Sequence, residues 1–275
     1  METQAIAEAA ARRNSNIRLQ TGCPTGKVGT MSGLERNSPA PFTCLRNAPA
    51  GRMRHPAHQS LARHRHDAPF AAVVISGRYV EAGDTGRHEV GPGEVIVHRA
   101  YENHLDRFAE CGAEVLVLPL PHGWNAPVLG AIDDIDEIVR LAERSPAMAA
   151  EKLKAEFVAK PAVNQDWPAL LAAALRTGPD LCLRDWAEGH GLHHGSLSRG
   201  FRQEFSVSPA RFRLISRMHR ALQLIDRSTD SLANIACDAG FSDQAHLTRT
   251  VRSETGMTPM QLMARSGETT GLLAG

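Results

Sequence analysis

The spacing of apolar residues changes near residue 133 and divides the chain into a strand-rich part and a helical part. Between residues 55 and 120, short apolar runs such as residues 70–75 are separated by glycine-containing turns. Short runs at such close spacing predict a small barrel or sandwich. Beyond residue 133, apolar residues recur at three- or four-residue intervals, as at Ile135 and Ile138, and this spacing predicts amphipathic helices.

Two segments of the helical part repeat one pattern, the first at residues 183–209 and the second at residues 232–259. Leucine, alanine, arginine, glutamate and proline residues match in register, first at an offset of 49 and then at an offset of 50. The second copy therefore holds one extra residue in the turn between its two predicted helices. Helical repeats that build solenoids come in arrays of three or more, so two copies favour a different architecture.

Each copy has the sequence features of a helix-turn-helix unit. A small residue, Ala187 or Ala236, allows the second helix to cross closely over the first. Four residues later, Gly191 or Gly240 supplies the positive φ that a tight turn requires. A continuous helical pattern over residues 211–226 joins the two units and predicts one rigid connecting helix.

The second helix of each unit is predicted to bury one apolar stripe and to present polar side chains on the opposite face. Such outward residues are what a recognition helix offers to base edges and phosphates. Arg202 and Arg252 stand at matched positions nearer the flank, where we expect contacts to phosphates. On a helical wheel the outward residues are Ser196, Arg199 and Gln203 in the first copy and His246, Arg249 and Ser253 in the second.

At these residues the sequence resembles the AraC/XylS family of transcription regulators. Residues 235–259, IACDAGFSDQAHLTRTVRSETGMTP, resemble that family's signature nearly throughout, and residues 185–209 resemble its first helix-turn-helix. The strong resemblance covers residues 166–265. A weaker resemblance, to a cupin-type sensor barrel, covers residues 60–120.

The resemblance implies an α+β multidomain protein with an N-terminal β-rich cupin-like barrel, a helical linker and a C-terminal all-α domain. The all-α domain would contain two helix-turn-helix units joined by a long helix. The resemblance also implies double-stranded promoter DNA as a partner, activation of transcription through RNA polymerase, and a small-molecule effector in the barrel. By the same resemblance, base contacts fall near Gly195, Ser198 and Arg199 in the first unit and near Gln244, Thr248 and Arg249 in the second.

The first unit departs from the family pattern at its second helix. His193 stands where a capping serine is common, a change that costs about 1 kcal/mol. Gly195 and Gly200 lie inside the helix, where each costs about 1 kcal/mol relative to alanine. These departures bear on how firmly the first unit is ordered without DNA.

The apolar face of the predicted linker has two interpretations. It either pairs two chains into a homodimer or packs within its own chain, and the pattern alone does not separate these alternatives. The expected divisions of the chain are a disordered extension at 1–54, a cupin-like sensor domain at 55–122, a helical linker at 123–165, an AraC-type DNA-binding domain at 166–266 and a disordered tail at 267–275.

Composition adds little to this interpretation. The net charge is +1, and no apolar stretch is long enough for a membrane span or a secretion signal, so we expect a cytoplasmic protein. The five cysteines are widely spaced and include no CxxC, so no disulfide framework is expected. No cysteine has the Pro-Cys-His-Arg setting of an alkylation-repair methyltransferase, and no aromatic platform favours RNA. We expect no enzyme activity and no cofactor.

Histidines are concentrated in the predicted barrel. His64 and His66 would share one face of a strand and His104 follows the strand-rich middle, so these three are the candidate metal ligands. Phe70 and Ala71 occupy the place of the usual cupin carboxylate, which favours a histidine-lined sensor pocket or a solvated strand over a metal site. The alternative that stays open is a cupin-like metal-binding protein or enzyme fused to a DNA-binding domain.

Overall fold

The computed structural model describes residues 50–121, 123–163, 166–178, 181–228 and 230–264, together with the backbone of residues 43–45. These residues belong to one compact unit, residues 42–275. The predicted tail at 267–275 and most of the predicted extension at 1–54 lie outside the described residues. The end of that extension is part of the fold, because a strand begins at Gly51.

The N-terminal part is built on two long antiparallel strands, β4 and β7, which pair along most of their lengths. The other strands flank this pair in the order β1-β3-β7-β4-β6-β8-β9, with β2 also on β7 and β5 also on β4. The strands are β1 (Thr43–Leu45), β2 (Gly51–His55), β3 (Ser60–His66), β4 (Phe70–Gly83), β5 (Gly86–Val90), β6 (Glu94–His98), β7 (Asn103–Pro119), β8 (Leu129–Ala131) and β9 (Val158–Ala159).

The predicted division into a β-rich N-terminal part and a helical C-terminal part is confirmed. The predicted barrel is a folded but open sheet, since no pairing among the described strands joins its two edges. One bend in the long pair depends on glycine. Gly77 has a φ of +76°, and a Cβ there would lie 2.1 Å from the carbonyl oxygen of Gly112.

Two helices of the predicted linker, α1 (Ile135–Arg144) and α2 (Pro146–Glu156), cover one face of the sheet. Ile138 and Leu153 are fully buried there in a cluster with strand residues such as Val73 and Leu116. The apolar face of the linker is therefore packed within its own chain, which favours that alternative over pairing of two chains. The linker also supplies β8 and β9 to the sheet and is thus not purely helical.

The described residues of the C-terminal part form helices joined by turns and contain two apolar cores. One core surrounds Phe201, Phe205 and Phe212, and the other surrounds Leu247 and Val251. The helices are α3 (Trp167–Thr177), α4 (Leu183–Gly189), α5 (His194–Phe205), α6 (Pro209–Arg227), α7 (Leu232–Asp238) and α8 (Gln244–Thr255). None of the helices described here combines the length and the apolar character that a membrane crossing requires.

Candidate nucleic-acid interface

The two predicted turns have matching geometry. Gly191 and Gly240 adopt φ values of +65° and +85°, as the sequence predicts. Five residues after each buried alanine, a backbone N–H donates back to the alanine carbonyl: Leu192 to Ala187 at 2.9 Å and Phe241 to Ala236 at 2.8 Å. Residues 190–193 separate α4 from α5, and residues 239–243 separate α7 from α8. The extra residue of the second copy therefore lies in its turn.

Each second helix begins at a capping side chain. Nδ1 of His193 accepts a hydrogen bond from the backbone N–H of Gly195 at 3.2 Å, so histidine performs the capping role usually given to serine. A carboxylate oxygen of Asp243 accepts from the backbone N–H of His246 at 2.6 Å. This hydrogen bond, together with the Ser242 hydroxyl, lowers the pKa of Asp243 below its usual value. The carboxylate stays charged at the positive end of the helix dipole.

The predicted contact residues of α5 lie mostly on its exposed surface. Ser196, Arg199, Arg202 and Gln203 are exposed, whereas Ser198 is half-buried. The stripe of Leu197, Phe201 and Phe205 on the other side of the helix is fully buried. The helix thus separates a core face from a polar face, as the spacing predicts.

The equivalent residues of α8 divide into exposed side chains and side chains held by neighbouring groups. Gln244, Arg249 and Arg252 are exposed. The ring of His246 lies against Phe241 and its Nδ1 is 3.2 Å from the Ser242 hydroxyl, while the Thr248 hydroxyl donates to the carbonyl of Gln244 at 2.9 Å. Arg249 and Arg252 are therefore the long side chains best placed to reach a ligand from this helix.

Comparison with known proteins agrees with this geometry. Residues 186–265 match the family model described as "Helix-turn-helix domain". This segment is an AraC-type helix-turn-helix domain.

The chain is similar to proteins that are named as transcriptional regulators. Over 174 residues it is 22% identical to the HTH-type transcriptional regulator ArgR of Pseudomonas aeruginosa. The aligned region covers 62% of this chain and 52% of that protein. The chain thus spans about half the length of this curated relative. Among solved structures, a transcriptional regulator with an AraC-type DNA-binding domain from Chromobacterium violaceum is 26% identical over 35% of this chain and 88% of that one, with a TM-score of 0.33. ToxT from Vibrio cholerae is 9% identical over 78% of this chain and 96% of that one, with a TM-score of 0.36.

The first unit of the AraC-type domain is docked on the sheet at the C-terminal end of α5. Nη1 of Arg107, on β7, lies 2.9 Å from Oε2 of Glu204, and its Nη2 donates to the carbonyl of Gln203 at 2.8 Å. Arg63, on β3, donates to the carbonyl of Phe205 at 3.0 Å. Sheet residues thus satisfy carbonyls at the end of α5 that the backbone of the helix leaves without partners.

A buried polar network also stabilises the contact between the sheet and the first unit. Arg63 and Asp84 form an ion pair in which both side chains are almost fully buried. Asp84 also accepts from the Asn103 side chain at 2.8 Å and lies 2.9 Å from Nε2 of His219 on α6. Burial alone would raise the pKa of Asp84, but Arg63, His219 and Asn103 outweigh it and lower that pKa to about 2.

The two units differ in how they meet the sheet. The core of the first unit includes the sheet residues Ala82 and Leu105, whereas the core of the second unit contains helical residues only. The second unit meets the sheet through Glu254 of α8. Its buried carboxylate accepts from Arg211 and has Oε2 3.7 Å from Nη1 of Arg65. This charged contact was not predicted from the sequence.

The structure also brings the three candidate metal ligands together. His64, His66 and His104 are all buried on one side of the sheet, and one ligand atom of each lies within 4.8 Å of the others. Glu81 and His98 join the same group, since with His104 they form a second set of the same size. His98 was only one of several histidines in the predicted barrel, and nothing in the sequence marked Glu81, so neither was named as a candidate ligand.

Proposed function

We propose that this protein is a sequence-specific transcription regulator that binds double-stranded promoter DNA through α5 and α8. The observation that carries the proposal is the repeated geometry of the two units. Each unit has a capped second helix, and Arg199 and Arg249 are exposed at matched positions. Two arginines at equivalent places on repeated recognition helices suit guanine contacts at two sites on one duplex.

The other polar residues of these helices have different proposed roles. Arg202 and Arg252 would contact phosphates, because they lie at matched exposed positions three residues beyond the base-reading arginines. Gln244 would contact adenine, since an exposed amide can bond adenine with both of its groups. Ser196, Ser198, Gln203, His246 and Thr248 would complete the interface.

The N-terminal sheet would sense a small effector and communicate it to the AraC-type domain. The contacts of Arg63, Arg65 and Arg107 with the helices support this proposal, because a change in the sheet would reach α5 and α8 directly. Activation through RNA polymerase and a cytoplasmic location follow from the proposed role rather than from any contact described above. A homodimer would need a surface other than the packed apolar face of α1 and α2.

The test begins with selection of binding sites by the full chain from a random duplex library. Affinity is then measured for the selected duplex and for a scrambled one. We expect the affinity for the selected duplex to exceed that for the scrambled duplex at least about 1,000-fold at physiological salt. The variant Arg199→Ala should lose most of this preference, whereas Arg144→Ala, which removes an exposed arginine at the end of α1, should keep it. A chain that enriches no sequence would contradict the proposal.

A further inference from the structure

Five buried polar side chains face one another on the inner side of the sheet, and we call them the histidine cluster. They come from four strands, β3, β4, β6 and β7, and are at most 8% exposed. His64 lies directly opposite His104 in the β3–β7 pairing, with ring centroids 4.3 Å apart. The members are His64, His66, Glu81, His98 and His104.

Two of the ring nitrogens of the cluster lack partners among the described residues. Nδ1 of His64 lies 2.9 Å from the carbonyl oxygen of Ala62, which can only accept, so this nitrogen donates and Nε2 keeps its lone pair. Nδ1 of His66 and Nδ1 of His104 are buried and have no hydrogen-bond partner among the described residues. Buried polar atoms are nearly always paired in folded proteins, so two unpaired nitrogens in one place indicate a missing ligand.

His64 also has the orientation of a metal ligand, because its Nδ1 lies 2.9 Å from the carbonyl oxygen of Ala62. The hydrogen bond from His64 to a backbone carbonyl is the arrangement that orients metal-bound histidines in proteins.

We propose that His64, His66 and His104 bind one divalent transition-metal ion, with Glu81 or His98 as a further ligand. Three imidazoles and one carboxylate or imidazole suit zinc, nickel, iron(II) or copper better than magnesium or calcium, which prefer oxygen ligands. Metal–nitrogen bonds are about 2 Å long, so binding would draw the three rings toward a common centre.

Strand β3 connects this site to the AraC-type domain. His64 and His66 face the cluster, while the neighbouring Arg63 and Arg65 reach the carbonyl of Phe205 and the carboxylate of Glu254. A ligand that draws in the two histidines therefore displaces the residues that hold both helix-turn-helix units. The bound metal ion would then be the effector. This role rests on the proposed function, whereas binding of the metal does not.

The metal site is tested on the full chain after removal of metals with a chelator. Calorimetric titration with zinc chloride should give about one bound ion per chain. The visible spectrum of the cobalt(II)-loaded chain should show nitrogen ligands. His104→Gln and His66→Gln should each weaken zinc binding at least about tenfold. The control His190→Gln removes an exposed histidine of the first turn and should bind like the parent chain.

Circular dichroism and melting of the metal-free variants verify that they fold. Less than a stoichiometric amount of zinc in the parent chain, or unchanged zinc affinity in both folded variants, would overturn the metal site.

The coupling of the metal site to DNA binding is tested by measuring DNA affinity with and without zinc, and a change of at least about fivefold is expected. Equal affinity in the two states would overturn the coupling alone. Failure of the chain to select any DNA would overturn the proposed function and leave the metal site standing.

Discussion

Glu204 and Glu254 occupy the same position in the two helix-turn-helix units, and both pair with arginines of the sheet. Glu204 lies against Arg107 and Arg87, and Glu254 lies near Arg65. Each glutamate lies near the C-terminal end of the second helix of its unit, on the side away from the exposed Arg199 or Arg249. The repeat that provides the two proposed DNA-binding helices thus also provides two attachment points to the sheet.

The two glutamates should differ in their contribution to stability. The side chain of Glu254 is 3% exposed and that of Glu204 is 26% exposed. Removing one partner of a buried pair costs about 3–5 kcal/mol, whereas an exposed pair contributes about 0–1 kcal/mol. Glu254→Ala should therefore lower the free energy of unfolding by several kcal/mol, and Glu204→Ala should lower it by less than about 1 kcal/mol. Urea unfolding of both variants measures the difference, and equal losses would contradict the argument.

The two glycines of α5 should respond to alanine in opposite directions. A Cβ at Gly200 would lie 2.6 Å and 2.8 Å from ring atoms of Trp167, so this glycine makes room for α3. Overpacking costs about 1–3 kcal/mol, which outweighs the gain of about 1 kcal/mol in helix propensity. Gly200→Ala should lower the melting temperature.

Gly195 is the matched control, because it lies in the exposed first turn of the same helix. The nearest atoms to an added Cβ belong to the exposed ring of His193, at 3.3 Å and 3.4 Å. Gly195→Ala should leave the melting temperature unchanged or raise it, with a gain of up to about 1 kcal/mol. A lower melting temperature for this variant and a higher one for Gly200→Ala would refute the packing explanation.

The Asp84–His219 contact should make stability depend on pH. Burial lowers the pKa of His219, but the hydrogen bond and charge of Asp84 outweigh it and leave that pKa raised. A raised histidine pKa contributes stability below the unfolded value of 6.5, and this stability is lost as pH rises through the folded value. The lowered pKa of Asp84 contributes stability above 3.8, lost as pH falls toward about 2.

The contact should therefore stabilise the fold most between about pH 4 and pH 6.5. His219→Gln keeps a hydrogen-bond donor but cannot be charged. The difference in unfolding free energy between the parent chain and this variant should be larger at pH 5.5 than at pH 9. Glu102, Arg99 and Arg63 also act on this pair and are retained in both proteins. A difference that does not change with pH would show that the histidine is not charged in the fold.

Sequence analysis predicted the helix-turn-helix units well because their determinants are local. Ala187 and Gly191 lie four residues apart, and the turn geometry follows from their backbone requirements. The contact of Arg63 with Phe205 joins residues 142 positions apart, and no pattern along the chain encodes it. Strand β9 holds two residues and exists only because β8 offers a partner.

The histidines of β3 likewise show that local pattern predicts which side chains share a face but not what they contact. Alternation along β3 predicted that His64 and His66 share a face, and this is confirmed. It did not predict what lies opposite, since His98 and Glu81 come from other strands. The alternation also places Arg63 and Arg65 on the other face, but their partners on the helices could be identified only from the tertiary structure.

Two arginines of α8 should differ in role, one in base recognition and the other in phosphate contact. Arg249 follows the buried Leu247 by two residues, whereas Arg252 follows the buried Val251 by one, and both arginines are exposed. Arg249→Ala should cost about 1–3 kcal/mol on the selected duplex and relax the preference at one base pair. Arg252→Ala should weaken binding to selected and scrambled duplexes alike and reduce the salt slope by about one unit.

Titrations of the parent chain and both variants on the two duplexes at several salt concentrations distinguish these roles. Bidentate contact with a base depends on which base is present, so its loss must change the ratio of the two affinities. A phosphate is present at every step of any duplex, so its loss must leave the ratio unchanged and alter only the salt dependence. If Arg249→Ala reduced both affinities by the same factor, Arg249 would be a phosphate contact, and base recognition by the second unit would have to rest on Gln244.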